Sequence, residues 1–234
     1  MRLHRFYIEQ PLGEELVVEQ SELVHQWISV FRYQCEDEVV LFSSANVGVD
    51  YIYRIASANK KVVTLSFVSK EKNILPKKEI TLCMAIVKKD TFENVVRYAT
   101  ELGVSKIIPI LAGRSEKKNL NLERLNSIAK EASEQSGRGT VPFIGDILSF
   151  NDALVQTEGD TNILTSLYGE NSLELANNGL LKNNLNIWIG PEGGWTPDEE
   201  KLAKENNFVL MKLTETVLKA DTAAVCALTS LVLN

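Results

Sequence analysis

The chain has 234 residues, of which 44 % are hydrophobic and 24 % are charged, and this composition excludes a mainly disordered chain and a fibrous repeat. The length predicts one large domain or two small ones. The formal net charge of -6 disfavours a general polyanion binder, although a local basic patch is compatible with it.

The N-terminal part of the chain predicts a short helix and several closely spaced strands. No apolar run follows the first basic residues, so we expect no signal peptide and a cytoplasmic location. Residues 21–32 predict a helix with Ser21 as its cap. Three β-branched and aromatic runs predict strands, which suggest a small barrel: 39–44, 50–57 and 61–70. Residues 71–79 then predict a linker.

Beyond the linker, apolar runs alternate with segments of helical periodicity. Residues 80–87 form a continuous apolar run, which is typical of a strand buried on both faces. A helix over Phe92 to Leu102 follows, and Gly103 is its expected stop. Further strands are predicted at 104–111, 162–167, 185–190 and 208–213, and further helices at 122–137, 197–207 and 221–233. This alternation predicts an α/β domain with a mostly parallel sheet.

Cysteines and histidines give no indication of metal or disulfide chemistry. The three cysteines are far apart and form no C-x-x-C motif, and both histidines, His4 and His25, lie near the N-terminus. We therefore expect no metal site and no Ser-His-Asp triad. No uncharged stretch reaches the roughly 20 residues that span a bilayer, so we expect no membrane association.

Basic residues concentrate near the middle of the chain. Six lysines and two acidic residues lie between Lys70 and Lys89. This local surplus of positive charge is compatible with a phosphate-binding surface, and it is equally compatible with a solvated linker.

The sharpest local motif is Ile189 to Thr196, with the sequence IGPEGGWT. It follows a predicted strand and precedes a helix whose start is strongly marked by Thr196 as N-cap, Pro197 and the capping-box residue Glu199. Its three glycines permit unusual dihedrals and close approach of a ligand to the backbone. The motif is therefore either a ligand-binding loop at the carboxyl end of a strand or a simple tight turn.

A second strand end leads into the last helix at residues 213–223, LTETVLKADTA. Asp221 or Thr222 is a candidate cap for that helix. The helix itself is apolar nearly all round, which predicts burial on several sides, in the core and in a dimer interface.

A third feature is polar. Glu131, Gln135 and Arg138 fall at i, i+4 and i+7 of one predicted helix. This stripe is either a solvated face or a hydrogen-bonding surface aimed at a polar substrate.

Together, these motifs resemble a known family. IGPEGGWT and LTETVLKADTA are similar to the paired motifs of SPOUT methyltransferases, and the chain most resembles the RsmE family, bacterial enzymes that methylate N3 of a uridine in 16S ribosomal RNA of the small subunit. Further matching segments lie in the same order over the whole chain: MRLHRFY, HQWISVFR, TELGVSKIIPI, Arg114-Ser115 and EASEQSGRGTVP.

The resemblance implies a fold, a cofactor and an assembly. We expect a PUA-like RNA-binding β-barrel over residues 1–72, and an α/β, trefoil-knotted SPOUT methyltransferase domain with a parallel sheet over 73–234. We also expect a homodimer that uses S-adenosylmethionine. The residues that the resemblance assigns to cofactor binding are Thr165, Ile189, Gly190, Glu192, Gly193, Gly194, Leu213, Val217 and Leu218.

The same resemblance assigns the catalytic and RNA-binding residues. Arg138, with Glu131 and Gln135, is expected to orient or polarise the uracil. The residues expected to contact RNA are Arg2, Arg5, Arg32, Lys88, Arg114 and Lys219.

Four positions depart from the family pattern and keep two rival functions open. Tyr98 stands where the family has a lysine, Thr214 replaces a glycine, and Lys219 and Asp221 replace an arginine and a glutamate. A lysine in place of an arginine loses bidentate geometry on a phosphate. The rivals are an RNA-binding or ribosome-assembly protein that has lost catalysis, and a SPOUT methylase with a different RNA target.

Overall fold

The computed structural model describes residues 3–157, 161–171 and 184–233. The chain divides into two compact units. The first contains Met1–Leu75 together with Ser133–Thr140, and the second contains Pro76–Ala132 and Val141–Asn234. A short segment from the middle of the chain therefore belongs to the N-terminal unit.

A curled five-stranded sheet forms most of the first unit. Its elements are β1 (Arg5–Tyr7), β2 (Glu15–Val18), α1 (Ser21–His25, continued as a π-helical segment over Gln26–Val30), β3 (Glu38–Phe42), β4 (Val49–Ala58) and β5 (Val63–Lys72). The strand order is β1-β3-β4-β5-β2, with β1 parallel to β3 and the other pairs antiparallel. The sheet encloses a core around Phe6, Trp27 and Tyr53.

Two details of the first unit differ from the sequence predictions. The strands β1 and β2 were not predicted, because three or four residues are too few to show a period-2 pattern. Ser21 is the first helical residue rather than the cap, and the N-cap position belongs to Gln20.

A parallel seven-stranded sheet forms the centre of the second unit. Its strands are β6 (Glu79–Ala85), β7 (Lys106–Leu111), β8 (Phe143–Ile144), β9 (Leu148–Ser149), β10 (Thr161–Asn171), β11 (Asn184–Ile189) and β12 (Val209–Lys212). The order is β12-β10-β11-β6-β7-β8, and β9 also pairs with β7. Every pair is parallel, which confirms the predicted α/β architecture. Because β10 lies between β11 and β12 in the sheet, the connection from β11 to β12 crosses over β10.

Helices cover both faces of this sheet. They are α2 (Lys89–Glu101), α3 (Leu122–Ser136), α4 (Phe150–Gln156), α5 (Pro197–Glu205) and α6 (Ala220–Leu233). One core cluster contains residues of α2, α3 and α6, including Phe92 and Leu228. The other contains residues of α4 and α5 with Trp188 and Trp195. Burial on both faces explains why the strands are continuous apolar runs rather than alternating ones.

The helix α3 ends earlier than predicted. Its last residue is Ser136, and Gly137 follows with φ +83°, a left-handed conformation that commonly ends helices. Arg138 therefore lies outside the helix, and the expected i, i+4, i+7 stripe breaks before its third member. Among the residues that the structure describes, no helix is long and apolar enough to cross a membrane.

Candidate functional site

A cavity of about 330 Å³ opens in the second unit where β10, β11 and β12 end. The carboxyl ends of parallel strands are the usual ligand-binding edge of an α/β sheet. All nine residues that the family resemblance assigns to cofactor binding line this cavity: Thr165, Ile189, Gly190, Glu192, Gly193, Gly194, Leu213, Val217 and Leu218.

The loop after β11, Gly190 to Trp195, forms one wall of the cavity and is called the glycine loop. Two of its glycines occupy positions where a side chain would be disfavoured. Gly194 donates its N–H to the Pro191 carbonyl at 2.8 Å, which closes a tight turn, and its φ is +68°. A Cβ on Gly190 would lie 3.2 Å from Nε1 of Trp195. The loop therefore presents backbone to the cavity, and side chains at Gly190 and Gly194 are disfavoured by contact and by backbone strain, respectively.

The start of α5 fixes the far end of this loop. The Thr196 hydroxyl accepts the Glu199 N–H at 3.2 Å, and Glu199 Oε2 accepts the Thr196 N–H at 2.7 Å, which is the predicted capping box. The other oxygen of Glu199 accepts the Gly113 N–H at 2.8 Å. One nearly buried carboxylate thus joins the helix start to the loop after β7.

Arg114 joins the same two loops from the other side. Its Nη1 donates to the carbonyl oxygens of Gly193 at 2.8 Å and Trp195 at 3.1 Å. Arg114 and Glu199 together clamp the glycine loop between β7 and α5. Neither contact was predicted, because residues 113 and 199 are far apart in sequence, although the capping box correctly singled out Glu199.

The opposite wall comes from β10 and from the segment after β12. Thr165 Oγ1 donates to the Trp188 carbonyl at 3.0 Å, and Ser166 Oγ donates to Glu200 Oε1 at 2.9 Å. In the segment after β12, the Thr214 hydroxyl donates to the Thr216 carbonyl at 2.6 Å. Hydrogen bonds from β10 to β11 and to α5, and one within the segment after β12, therefore shape this wall.

The cavity has the properties of a site for a small amphipathic ligand. Its volume falls in the range of roughly 300–1,000 Å³ that is typical of small-molecule pockets. Apolar groups from Met211, Leu213 and Ala223 face the backbone of the glycine loop, and Glu192 and Glu200 supply negative charge. These features fit S-adenosylmethionine, whose planar adenine presents apolar faces and whose sulfonium is cationic.

The last helix begins one residue earlier than predicted. Ala223 N–H donates to the Lys219 carbonyl, so Lys219 occupies the N-cap position and neither Asp221 nor Thr222 does. Asp221 instead accepts the Thr222 N–H at 2.9 Å from within the first turn. Its carboxylate therefore accepts from a helix N–H that lacks an intrahelical partner.

The three expected catalytic residues are divided between the units. Glu131 lies exposed on α3 in the second unit. Gln135 is exposed and Arg138 is only 6 % exposed, and both belong to the first unit. The guanidinium of Arg138 donates to the Thr140 hydroxyl at 2.9 Å.

The expected RNA contacts have different environments. Arg32, Lys88, Arg114 and Lys219 are exposed, and Arg2 lies outside the described residues. The Arg5 side chain is buried in an ion pair with Asp50, so its charge is directed at that carboxylate. Of the lysines between positions 70 and 89, Lys78 donates to the Leu231 carbonyl at the end of α6, and the others are exposed.

No group of three His, Cys, Asp or Glu side chains is placed to hold a metal within residues 3–157, 161–171 and 184–233. Burial raises the pKa of the Cys83 thiol, which keeps this cysteine protonated and unreactive.

Comparisons with known proteins show the family to which the chain belongs. A family model described as an RNA methyltransferase domain matches residues 74–232. The "Ribosomal RNA small subunit methyltransferase E" of Rickettsia conorii is 31 % identical, with 97 % of this chain and 94 % of that protein covered. The protein of the same name from Bacillus subtilis is 30 % identical, with 90 % and 87 % covered.

A solved structure extends the similarity to the fold. The Neisseria gonorrhoeae ribosomal RNA small subunit methyltransferase E, bound to S-adenosyl methionine, is 25 % identical, with a TM-score of 0.87 over 98 % of this chain and 96 % of that one. With the parallel sheet and the curled first sheet, this likeness confirms the expected SPOUT fold with a PUA-like first unit. The chain belongs to the RNA methyltransferase domain family and, within it, to the family of ribosomal RNA small subunit methyltransferase E, RsmE.

Proposed function

We propose that this chain transfers a methyl group from S-adenosylmethionine to N3 of a uridine in the 16S ribosomal RNA of the small subunit. The observation that carries the proposal is the glycine-walled cavity at the strand ends, in a chain of the RsmE family. The enzyme's relatives are named for methylation of small-subunit ribosomal RNA, and the choice of N3 of uridine follows from the family resemblance.

Cofactor binding is assigned to the cavity residues. The backbone of Gly190 to Gly194 and the segment from Leu213 to Leu218 hold the cofactor, and Thr165 borders it. The bound cofactor supplies an electrophilic methyl group. The rigid loops serve to orient that group, and positioning is a large part of the rate enhancement in such a displacement.

The uracil is oriented by the polar residues near the end of α3. Arg138 carries the positive charge that stabilises the base as N3 loses its proton, and Gln135 and Glu131 provide hydrogen-bonding partners. The exposed Arg32, Lys88 and Lys219 contact phosphates, which makes RNA affinity dependent on salt. Because the net charge is -6, affinity also requires recognition of shape, and we propose an assembled or partly assembled small subunit as the substrate.

The active form is a cytoplasmic homodimer in this proposal. One face of α6 packs in the core through Ala224, Leu228 and Leu231, while Val225 is partly exposed and Val232 is 40 % exposed. A two-fold pairing through the second face would bury these residues. Sedimentation tests this directly, since a stable and fully active monomer at micromolar concentration would contradict it.

Methyl transfer to isolated subunits tests the function as a whole. Small subunits from cells that lack the gene should accept methyl groups from labelled S-adenosylmethionine, and subunits from cells that carry it should not. Large subunits serve as the control, and calorimetry measures cofactor binding in parallel. Binding of RNA without any binding of S-adenosylmethionine would identify an assembly protein instead, and labelling of transfer RNA alone would identify another target.

A further inference from the structure

The segment that carries Arg138 is built into the first unit by backbone pairing. Arg138 forms an isolated parallel bridge with Ile74, and the Gly139 N–H donates to the Ile74 carbonyl at 2.7 Å. On the other side of the segment, Glu134 Oε1 accepts the Tyr7 N–H at 2.9 Å. The last turn of α3 and the loop after it are therefore held by two residues of the first unit, Tyr7 in β1 and Ile74 just after β5.

A buried ion pair supports the middle of this segment. Arg5 Nε and Nη2 each lie 2.7 Å from an oxygen of Asp50, in a bidentate pair whose side chains are only 7 % and 15 % exposed. The remaining terminal nitrogen, Nη1, donates to the Arg138 carbonyl at 3.2 Å. The guanidinium also lies 4.5 Å from the centre of the Phe42 ring. Because the carboxylate fixes the plane of the guanidinium, it also fixes the direction of the bond to Arg138.

Asn73 connects the ion pair with the loop itself. Its Nδ2 donates to Asp50 Oδ1 at 2.9 Å. A Cβ on Gly139 would overlap the Asn73 side chain, so the loop at position 139 lies directly against that amide. A side chain at Gly139 would therefore displace either the amide from Asp50 or the loop from its position.

From these contacts we propose that Arg5, Asp50 and Asn73 are positioning residues that set the backbone of Arg138, so that the first unit takes part in catalysis as well as in RNA binding. The inference rests on the proposed function, in which Arg138 acts on the uracil. An ion pair that served only stability would change the folded fraction and leave the turnover of the folded enzyme unaltered. A positioning pair changes kcat in fully folded protein, because a displacement of about 1 Å can cost roughly 100-fold in rate.

The test compares folded variants of the full chain for kcat, for KM toward small subunits and for the Kd of S-adenosylmethionine. We expect Asp50→Asn to lower kcat by about 10- to 100-fold. Its cofactor Kd should stay near wild type, because the cavity residues belong to the second unit. The matched control is Arg54→Met, which removes an exposed ion pair with Glu38 from the same sheet and should leave kcat unchanged.

A pair of variants adds a readout that a general loss of stability would not produce. Gly139→Ala alone should lower kcat, because its Cβ overlaps Asn73. The double variant Gly139→Ala with Asn73→Ala removes the overlap, so its kcat should equal that of Asn73→Ala alone and should not show the product of the two single losses. If Asp50→Asn does not fold, Arg5→Lys carries the test, since it keeps a cation beside Asp50 but loses the bidentate geometry and the bond to Arg138.

Two outcomes separate this inference from the proposed function. If Arg138→Ala is inactive while folded Asp50→Asn, Arg5→Lys and Gly139→Ala keep full kcat, the positioning inference is overturned and the function stands. If Arg138→Ala itself keeps full turnover, the catalytic role of Arg138 is overturned and the inference with it. A kcat of the double variant equal to that of Asn73→Ala, together with a normal cofactor Kd, supports the inference.

Discussion

The two regions that we propose to be functional, the cavity at the strand ends and the segment around Arg138, are built by different means. One wall of the cavity that we propose for the cofactor is the backbone of the glycine loop, and Arg114 and Glu199 hold that loop through hydrogen bonds to backbone groups. The Arg138 segment is held by the Arg5–Asp50 ion pair, and Arg5 lies 133 positions away from Arg138 in sequence. One wall of the first region therefore requires glycines, which leave room for a ligand beside the backbone, whereas the second region is held by a buried ion pair.

This difference predicts which measurement each substitution changes. A change in the glycine loop should affect cofactor affinity first. A change at or around Arg138 should affect turnover and leave cofactor affinity intact. The predictions that follow separate these two quantities.

The largest effect is expected from Arg138→Ala. Loss of a charged contact of about 3 kcal/mol in the transition state lowers turnover by about 100-fold or more. Calorimetry should find S-adenosylmethionine affinity near wild type, since Arg138 does not belong to the unit that contains the cavity. Loss of both quantities would indicate a folding defect. Turnover at the wild-type level would mean that Arg138 is only structural.

Gly194→Val should produce the complementary result. At φ +68° a β-branched residue is strained, and its methyl groups would extend into the open space at the cavity wall. Together these effects should raise the Kd of S-adenosylmethionine by about 100-fold, or roughly 3 kcal/mol, in a protein that still folds.

Gly103→Val is the matched control for that prediction. Gly103 has φ +91° and, like Gly194, no atom within 4 Å of its ideal Cβ, but it lies in the turn after α2 and does not line the cavity. It should lose stability and keep cofactor affinity. Equal loss of affinity in both variants would break the assignment of the glycine loop as the cofactor wall.

Glu199→Ala tests the clamp and should have an intermediate effect. The Gly113 and Thr196 N–H groups lose their acceptor, which costs about 2–3 kcal/mol of stability for two charge-assisted bonds. A looser glycine loop should also raise the cofactor Kd by about 10-fold, or roughly 1.4 kcal/mol. Glu205→Ala, at an exposed pair with Lys201 on the same helix, should change neither quantity. A normal Kd in Glu199→Ala would show that the loop needs no clamp.

The smallest expected effect is a dependence of stability on pH that comes from Tyr53 in the core of the first unit. Burial, aided by the nearby Tyr51, raises the pKa of Tyr53 from 10.0 to about 12, and its hydroxyl donates to the Gly13 carbonyl at 2.7 Å. Since the folded-state pKa is the higher one, this contribution to stability is complete below pH 10 and is lost as the pH rises toward 12. Urea unfolding of the wild type should show a free energy of unfolding that falls over this pH range, and Tyr53→Phe should show a smaller fall. At neutral pH the substitution should cost about 1 kcal/mol of stability. Identical profiles in the two proteins would contradict the shift.

Features that are local in sequence were predicted well. The parallel strands follow from continuous apolar runs, the helix α5 from its capping box, and the cavity wall from glycines directly after a strand. Each of these depends on neighbours within a few positions, and the same holds for the apolar face of α2, whose Phe92, Val95 and Val96 are buried as expected.

Features that depend on distant contacts were not predicted. The ion pair of Arg5 with Asp50 was not predicted, because the two residues lie 45 positions apart and a sequence shows the charge of a residue but not its partner. The end of α3 was misplaced by one residue, because Gly137 and Gly139 both mark helix ends and only the structure distinguishes them. Membership of Ser133–Thr140 in the first unit also follows from long-range contacts that no local pattern encodes.

Methylation of small-subunit ribosomal RNA is tested most directly by mass spectrometry of its nucleosides. Ribosomal RNA is digested from cells that carry the gene, from cells in which it is deleted, and from deleted cells that receive the wild-type gene or Gly194→Val. We predict that 16S RNA contains N3-methyluridine in cells that carry the gene and lacks it in the deleted cells. The wild-type gene should restore the modified nucleoside, and Gly194→Val should not. An unchanged amount of N3-methyluridine after deletion would contradict the account.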